Sequence, residues 1–146
     1  MIDKFYEFTL CVNKAHALFL KLIERELSRN KVRDLNAYQA LLIKNISEEI
    51  MNVGQAQRAG YYTVTNITYN LNKLETLGYV MKMGNNLDLR STLVKLTDKG
   101  LKVLQIINGV IMSQSSMLKS AGIDDNDMNN MTKILQELHK IFMLNS

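Results

Sequence analysis

The sequence predicts a mainly α-helical fold that also contains one small β-hairpin, an α+β class. Apolar residues recur three and four positions apart over several long stretches, which is the spacing of amphipathic helices. Two short runs rich in β-forming residues, 79–83 and 92–96, flank a polar stretch that begins at Gly84, a pattern typical of a hairpin. The chain contains no proline, so its helices should have few kinks.

Composition restricts the possible classes of protein. The 146 residues, 47% hydrophobic and 22% charged, are those of one ordinary globular domain. The longest apolar run is well short of the roughly 18 residues of a membrane span, so no membrane partner is expected. The start, MIDKFYEF, lacks the basic-then-apolar pattern of a secretory signal. With a single cysteine, this predicts a cytoplasmic location. The net charge of +4 slightly favours a polyanionic partner.

The first predicted helix covers residues 3–28 and carries a wide apolar stripe. The stripe consists of Phe8, Cys11, Val12, Ala15, Leu18, Phe19, Leu22, Ile23 and Leu27. Such a stripe on a terminal helix packs across its own domain or forms half of a dimer interface, and both alternatives stay open. The cations at its end are Arg25, Arg29, Lys31 and Arg33. We interpret them as a solvated helix end, since cations suit the negative end of the helix dipole.

Two shorter helices are predicted next. Asn36 with Gln39 three residues later forms a variant of the capping box and opens a helix through the apolar residues 40–43. After a polar break, Asn52 can cap a third helix over residues 53–59 that ends at Gly60. A tight reversal between two helices usually needs one residue with positive φ, which glycine adopts easily.

A helix over residues 63–77, with Thr63 as its cap, follows that turn. Its apolar face is formed by Val64, Ile67, Leu71 and Leu74, with Leu77 beside them. Its opposite face is polar with little charge and consists of Thr65, Asn66, Tyr69, Asn72, Lys73 and Thr76. A helix adapted for solubility would carry Glu–Lys pairs, whereas Asn, Thr, Tyr and Lys can read base edges and phosphates in a major groove. A DNA-reading helix and a plain solvated helix are both compatible with this face.

The elements around this helix favour the DNA-reading alternative. A short helix, a glycine turn and a second helix with a polar outer face make a helix-turn-helix. Gly78 ends the second helix, and the hairpin of strands 79–83 and 92–96 follows it directly. A hairpin in that place is the wing of a winged helix-turn-helix, which we expect to cover residues 36–96.

Two further amphipathic helices are predicted after the wing. Thr97 caps the first, whose stripe of Leu101, Leu104, Ile107, Ile111 and Leu118 continues to about residue 121, and Gly122 ends it. The second begins with Asp124, Asp125 and Asp127 near the positive end of its dipole and has the stripe Met128, Met131, Ile134, Leu135, Leu138, Ile141 and Phe142. This apolar surface exceeds what one winged unit needs. We therefore predict one domain, 1–146, in which segments 1–35 and 97–146 form a homodimer.

Three motifs carry a family resemblance. Leu74, Glu75 and Gly78 resemble a leucine, glutamate, two variable residues and glycine; Asp88-Leu89-Arg90-Ser91 resembles a wing Asp-Arg-Arg; residues 96–100, LTDKG, resemble a Leu-Thr-Glu-Lys-Gly that opens a dimerisation helix. In this order and spacing they make the chain similar to the MarR family (multiple antibiotic resistance regulators) over nearly its whole length. A narrower set resembles the alphaproteobacterial LdtR-like subgroup; its residues are Asn36, Gln39, Ala40, Leu41, Arg58, Gly60, Tyr61, Tyr62, Asn66, Tyr69, Asn70, Leu71, Lys73 and Leu74.

The resemblance implies a dimeric regulator that binds double-stranded DNA at a pseudo-palindromic operator, with repression as the default mechanism. It also implies a cleft between the dimer helices and the winged unit for a small effector. Arg90 would enter the minor groove while Asp88 holds its guanidinium. Tyr69 replaces an Arg common in the family and Leu89 replaces the first wing Arg, so the cationic grip on DNA should be weaker.

The predicted DNA-binding residues are Thr63, Thr65, Asn66, Tyr69, Asn70, Lys73, Asp88 and Arg90. Asn66 could pair with adenine, Tyr69 could contact a phosphate or a thymine methyl, and Lys73 should reach a phosphate or guanine. Lys82 and Lys95 on the wing strands either touch the DNA backbone or protect the sheet edge.

Other candidate sites are weaker. Cys11 stands in an apolar stripe and is interpreted as an inert core residue, with a redox sensor as the alternative. His16 and His139 have no third ligand nearby in sequence, so no metal site is predicted. The methionines should fill the core. No catalytic motif or cofactor-binding loop is present in the sequence, so we expect neither an enzyme nor a cofactor. A winged unit that binds proteins instead of DNA is a further alternative.

Overall fold

The structure is a computed structural model that describes residues 1–54, 64–84 and 92–145, with residues 64 and 65 described by their backbone alone. Its elements, in chain order, are α1 (Ile2–Arg29), α2 (Ala37–Ile46), β1 (Met51–Asn52), α3 (Val64–Thr76), β2 (Val80–Met83), β3 (Leu93–Leu96), α4 (Asp98–Ser120) and α5 (Asp125–Leu144). The mainly helical class with a small sheet is confirmed. The chain divides into two compact units, Met1–Val110 and Ile111–Ser146.

The first unit has one hydrophobic core to which every one of its described elements contributes. Its largest fully buried side chains include Ile23 and Leu27 from α1, Ile43 from α2, and Leu71 and Leu74 from α3. The sheet adds Val80 and Val94, and the first half of α4 adds Val103, Leu104 and Ile107. Burying side chains of this size stabilises a fold by about 1.5–3 kcal/mol each before the entropic cost of ordering them. The apolar face of α3 therefore lies in the same core as residues of α1, α2 and the sheet.

The sheet has three antiparallel strands in the order β1-β3-β2. Strands β2 and β3 form the predicted hairpin, with Val80 opposite Leu96 and Met83 opposite Leu93. Strand β1 was not predicted; it pairs Met51 with Val94 on the other edge of β3. This pairing fixes residues 51 and 52 to strand β3 of the wing.

Local capping chemistry fixes the ends of the helices. The capping box at the start of α2 is present in both directions, with the Gln39 N–H donating to Asn36 and the Asn36 N–H donating to Gln39. At the end of α3, Gly78 has φ +82°, the Tyr79 N–H bonds to the Leu74 carbonyl and the Gly78 N–H bonds to the Glu75 carbonyl. These two bonds form a Schellman motif. Both predictions are confirmed. The predicted helix over residues 53–59 is helical at 53 and 54, and the rest of it, with Gly60, lies outside the described residues.

The second unit contains the end of α4 and all of α5. Gly122, with φ +85°, ends α4 as predicted, and Asp124 caps α5 in a reciprocal capping box with Asp127. No residue of α5, which the structure describes throughout, is buried in the single chain. In the described part of the chain, no helix combines the length and apolar character needed to cross a membrane.

Candidate nucleic-acid interface

Helix α3 presents two faces of opposite character. Ile67, Leu71 and Leu74 are no more than 1% exposed. The described residues of the opposite face, Asn66, Tyr69, Asn72, Lys73 and Thr76, are all exposed. Tyr69 has 65% of its surface exposed. Because the core fixes the apolar face, the polar face has a defined orientation toward solvent.

The side of α3 nearest α2 is held by an amide pair. Gln39, which is 5% exposed, donates from Nε2 to Asn70 Oδ1 at 3.3 Å. The Asn70 Nδ2 in turn donates to the Asn66 carbonyl at 2.8 Å. Both functional atoms of the Asn70 amide therefore have partners within the chain, and the same Gln39 side chain closes the α2 capping box. This geometry fits Asn70 as a residue that positions α3.

The side of α3 nearest the wing is also tied down. Lys82 on β2 donates from Nζ to the Asn72 Oδ1. Lys82 was considered for contact with the DNA backbone; in the structure its ammonium group bonds to α3 itself. Lys95 on β3 is exposed. The wing strands thus support the orientation of α3 through a side chain as well as through the core.

The C-terminal end of α3 meets the start of α4. Lys99 donates from Nζ to the Leu77 carbonyl at 2.7 Å, and Thr97 donates from Oγ1 to the Gly78 carbonyl at 2.6 Å. These are carbonyls that a helix end leaves without an intrahelical partner. The Thr97 hydroxyl also accepts from the Gly100 N–H at 3.2 Å, which confirms Thr97 as the cap of α4. The first turn of α4 therefore closes the last turn of α3.

A polar cluster lies beside this junction. The Tyr79 hydroxyl donates to Asp34 Oδ1 at 2.6 Å, and Lys99 Nζ lies 3.7 Å from Asp34 Oδ2 and 4.2 Å from the centre of the Tyr79 ring. Burial, then the hydrogen bond to Asp34 and its negative charge, raise the pKa of the Tyr79 phenol well above its usual range. The phenol is therefore neutral at physiological pH and acts as a hydrogen-bond donor.

The sequence pattern did not identify these positioning residues, although one of them carries a signal. Asn70 stands about 40° from Leu74 and 60° from Ile67 around the helix at 100° per residue, which places it beside the buried face. Its polar side chain there requires a partner. Asp34 and Tyr79 are 45 positions apart, and no local pattern connects them.

Several predicted residues lie outside what the structure describes. Thr63, Asp88 and Arg90 are beyond the described ranges, as is the side chain of Thr65. For these residues the assignment to DNA binding stays a prediction. For Asn66, Tyr69 and Lys73, the exposed positions on α3 are compatible with that assignment.

The structure also shows where the candidate redox and metal-binding residues lie. Cys11 is exposed, so its interpretation as a core residue is wrong for the single chain; the first half of α1 extends beyond the core, which begins at Phe19. The His16 ring packs near Tyr38 at 6.5 Å between ring centres. Among the described residues, no three His, Cys, Asp or Glu side chains are close enough to hold a metal ion.

Comparison with known proteins supports the winged unit. Residues 35–100 match the family model of the winged helix DNA-binding domain. A curated relative, the exopolysaccharide II synthesis transcriptional activator ExpG of Rhizobium meliloti (strain 1021), is 26% identical over 137 residues, which are 94% of this chain and 69% of that protein.

Solved structures share the fold over nearly the whole chain. Streptococcus pneumoniae FabT in complex with DNA superimposes with a TM-score of 0.72 at 18% identity, covering 97% of this chain and 99% of that one. Staphylococcus aureus MarR in complex with salicylate and kanamycin gives 0.70 at 17% identity, covering 97% and 93%. The narrower LdtR-like resemblance stays a prediction.

Proposed function

We propose that this chain, a winged-helix DNA-binding transcriptional regulator with the fold of the MarR proteins, acts as a homodimer on a pseudo-palindromic operator. The observation that carries the proposal is the polar face of α3. It is exposed, low in charge, and held on the α2 side by Gln39, on the wing side by Lys82 and at its end by Lys99. A helix that is held this firmly can place hydrogen-bonding side chains against base edges in a major groove.

In this proposal each α3 reads one half-site. Asn66 and Tyr69 contact bases, Lys73 contacts a phosphate or guanine, and Thr63 and Thr65 contact the DNA near the start of the helix. Two-fold symmetry then requires half-sites about one helical turn apart, roughly 34 Å. With Tyr69 at a position where related proteins commonly carry Arg, base discrimination depends more on neutral hydrogen bonds than on charge.

The wing and the effector complete the proposal. Arg90 enters the minor groove beside the half-site, with Asp88 restraining its guanidinium. Binding over a promoter represses transcription by excluding polymerase. The protein acts in the cytoplasm, where it has access to the DNA. A small effector bound between the dimer helices and the winged unit would alter repression by favouring one separation of the two α3 helices over another.

Selection of bound duplexes from a random-sequence library tests the DNA-binding proposal. The wild-type protein should enrich an inverted repeat, and anisotropy titrations on it should show that Tyr69→Ala or Asn66→Ala reduces discrimination against a mismatched half-site by about 1–3 kcal/mol. Arg90→Ala should weaken binding to all duplexes and flatten the salt dependence. Glu75→Ala, also exposed on α3, is the control. Weak binding that is equal on all sequences would contradict the proposal and favour a protein-interaction module.

The direction of regulation needs a separate measurement. A reporter gene placed behind the selected operator should be expressed less when the protein is present and more when it is absent. The reverse result would identify an activator, the role that the name of the ExpG relative gives to that protein.

Control through Cys11 is a second candidate, because the thiol is exposed in the single chain. Oxidation by a hydroperoxide would convert the thiolate to a sulfenic acid, placing a polar group on the apolar stripe of α1. Unchanged operator affinity after peroxide treatment, in the wild type and in Cys11→Ser alike, would exclude this control.

A further inference from the structure

The junction between α3 and α4 is built from polar side chains of three separate segments. Asp34 comes from the connection after α1, Tyr79 follows the Schellman turn of α3, and Lys99 lies in the first turn of α4. Lys99 is the common member, since its ammonium group contacts the Leu77 carbonyl, the Asp34 carboxylate and the Tyr79 ring at 2.7, 3.7 and 4.2 Å.

Each of these three groups interacts favourably with the positive charge of Lys99. The carbonyls at the end of a helix form the negative end of its dipole, and Lys99 donates to one of them that has no intrahelical partner. The ring of Tyr79, 3% exposed, offers its negative face to the same ammonium group. The ion pair alone contributes little, because both partners are roughly half exposed. The geometry of the three contacts together defines where α3 ends relative to α4.

We propose that Lys99, with Asp34 and Tyr79, is a positioning residue that fixes the DNA-reading helix to the dimerisation helix and thereby sets the half-site spacing that the dimer accepts. This inference rests on the proposed function. The close approach of the two segments supports it: a Cβ on Gly100 would lie 2.2 Å from the Tyr79 carbonyl oxygen, so the backbones touch here. Lys99 restrains the remaining freedom, which is rotation of the α3 end about that contact.

The spacing profile of binding tests this inference. Inverted repeats selected by the wild-type protein are rebuilt with one or two base pairs added or removed between half-sites; each base pair displaces a half-site by about a tenth of a helical turn. The wild type should bind the duplex of one spacing about tenfold or more tightly than duplexes of neighbouring spacings, as expected when the two α3 helices are held at a fixed separation. Lys99→Met should reduce that preference to a few-fold, and Lys99→Arg should restore it, because it keeps the donor and the charge.

The control is Lys102→Met, which removes the same charge from an exposed position of the same helix. A purely stabilising role would lower the unfolding temperature of Lys99→Met and leave its spacing preference unchanged. The inference would be overturned if Lys99→Met kept the wild-type spacing preference, or if Lys102→Met lost as much of that preference as Lys99→Met. It would also be overturned if the wild type bound all spacings equally. A wild type that enriches no repeat at all would overturn the proposed function, and this inference with it.

Discussion

At the scale of single residues, amide and carboxylate groups hold the polar face of α3 in its orientation. Gln39 and Asn70 connect α2 to α3 through one hydrogen bond of 3.3 Å, in a place where Gln39 is nearly inaccessible to water. An unpaired amide there costs free energy, because burial removes water as the alternative partner. The two residues should therefore be energetically coupled.

A double-mutant cycle measures this coupling. Gln39→Ala and Asn70→Ala should each destabilise the folded protein, and the double variant should be less destabilised than their sum by about 1 kcal/mol. Urea unfolding gives the three values, with Glu75→Ala on the same helix as control. If the two losses in unfolding free energy were strictly additive, the hydrogen bond between the two amides would contribute nothing to stability. If Asn70 instead contacts bases directly, Asn70→Ala should abolish base preference at one position while Gln39→Ala leaves it intact.

Tyr79 makes stability depend on pH in the alkaline range. Its pKa is raised in the folded chain by burial and by Asp34, so as the pH increases the unfolded chain, with an ordinary phenol pKa near 10, loses its proton first. The unfolded state then binds fewer protons, and stability falls as pH rises. The contribution of Tyr79 is complete below about pH 10 and is lost above it.

Tyr79→Phe tests this dependence because it keeps the ring and removes the hydroxyl. The free energy of unfolding at neutral pH should decrease by about 1–2 kcal/mol, the value of a hydrogen bond to a carboxylate that is partly exposed. Between neutral pH and about pH 11 the variant should also lose less stability than the wild type does. Tyr69→Phe, which is exposed, should match the wild type in both respects. Parallel pH curves for Tyr79→Phe and wild type would contradict the assignment.

At the scale of elements, local chemistry made most helix boundaries predictable from the sequence. The capping residues Asn36, Thr97 and Asp124 and the glycines Gly78 and Gly122 act within four residues of the ends they fix. Strand β1 was not predictable in this way. Its two residues carry no β pattern of their own, and they are a strand because Val94 and Leu93, some 40 positions later, supply the pairing.

The first turn of α4 packs directly on Tyr79, which follows the end of α3 by three residues. Helix α4 contains two glycines, Gly100 at this contact and Gly109 away from it. A Cβ at Gly100 would meet the Tyr79 carbonyl at 2.2 Å and the Leu96 Cβ at 3.2 Å, whereas at Gly109 it meets no described atom within 4 Å. Gly100→Ala should therefore destabilise the protein by about 1–3 kcal/mol, because a backbone carbonyl would have to move.

Gly109→Ala should instead stabilise it by up to about 1 kcal/mol, since alanine is the better helix former. Thermal unfolding of both variants compares them directly. A loss in Gly109→Ala as large as that in Gly100→Ala would mean that a partner protomer packs closely against this position.

At the scale of the whole molecule, the sequence indicated more apolar surface than one chain buries, and the structure confirms the excess. The first half of α1 exposes Phe5, Phe8 and Val12, and α5 exposes Met131, Ile134, Leu135, Ile141 and Phe142. What covers these faces cannot be read from periodicity, because a stripe has the same pattern whether it packs within a chain or between chains. The proposed homodimer accounts for both stripes, since a continuous apolar seam on an exposed helix is typical of a protein–protein interface.

A charge introduced into the α5 stripe tests the dimer. Ile134→Glu places a carboxylate where the proposed interface excludes water, and an unpaired buried charge costs several kcal/mol. Sedimentation equilibrium should show monomers at concentrations where the wild type is dimeric. Affinity for the selected inverted repeat should fall by about a hundredfold or more, because each monomer then binds one half-site alone.

Gln136→Glu is the control, since it adds the same charge at an exposed polar position of α5 and should remain dimeric. Because the core of residues 1–110 does not include Ile134, Ile134→Glu should keep its helical content. A fully dimeric Ile134→Glu with wild-type operator affinity would show that α5 does not form the interface.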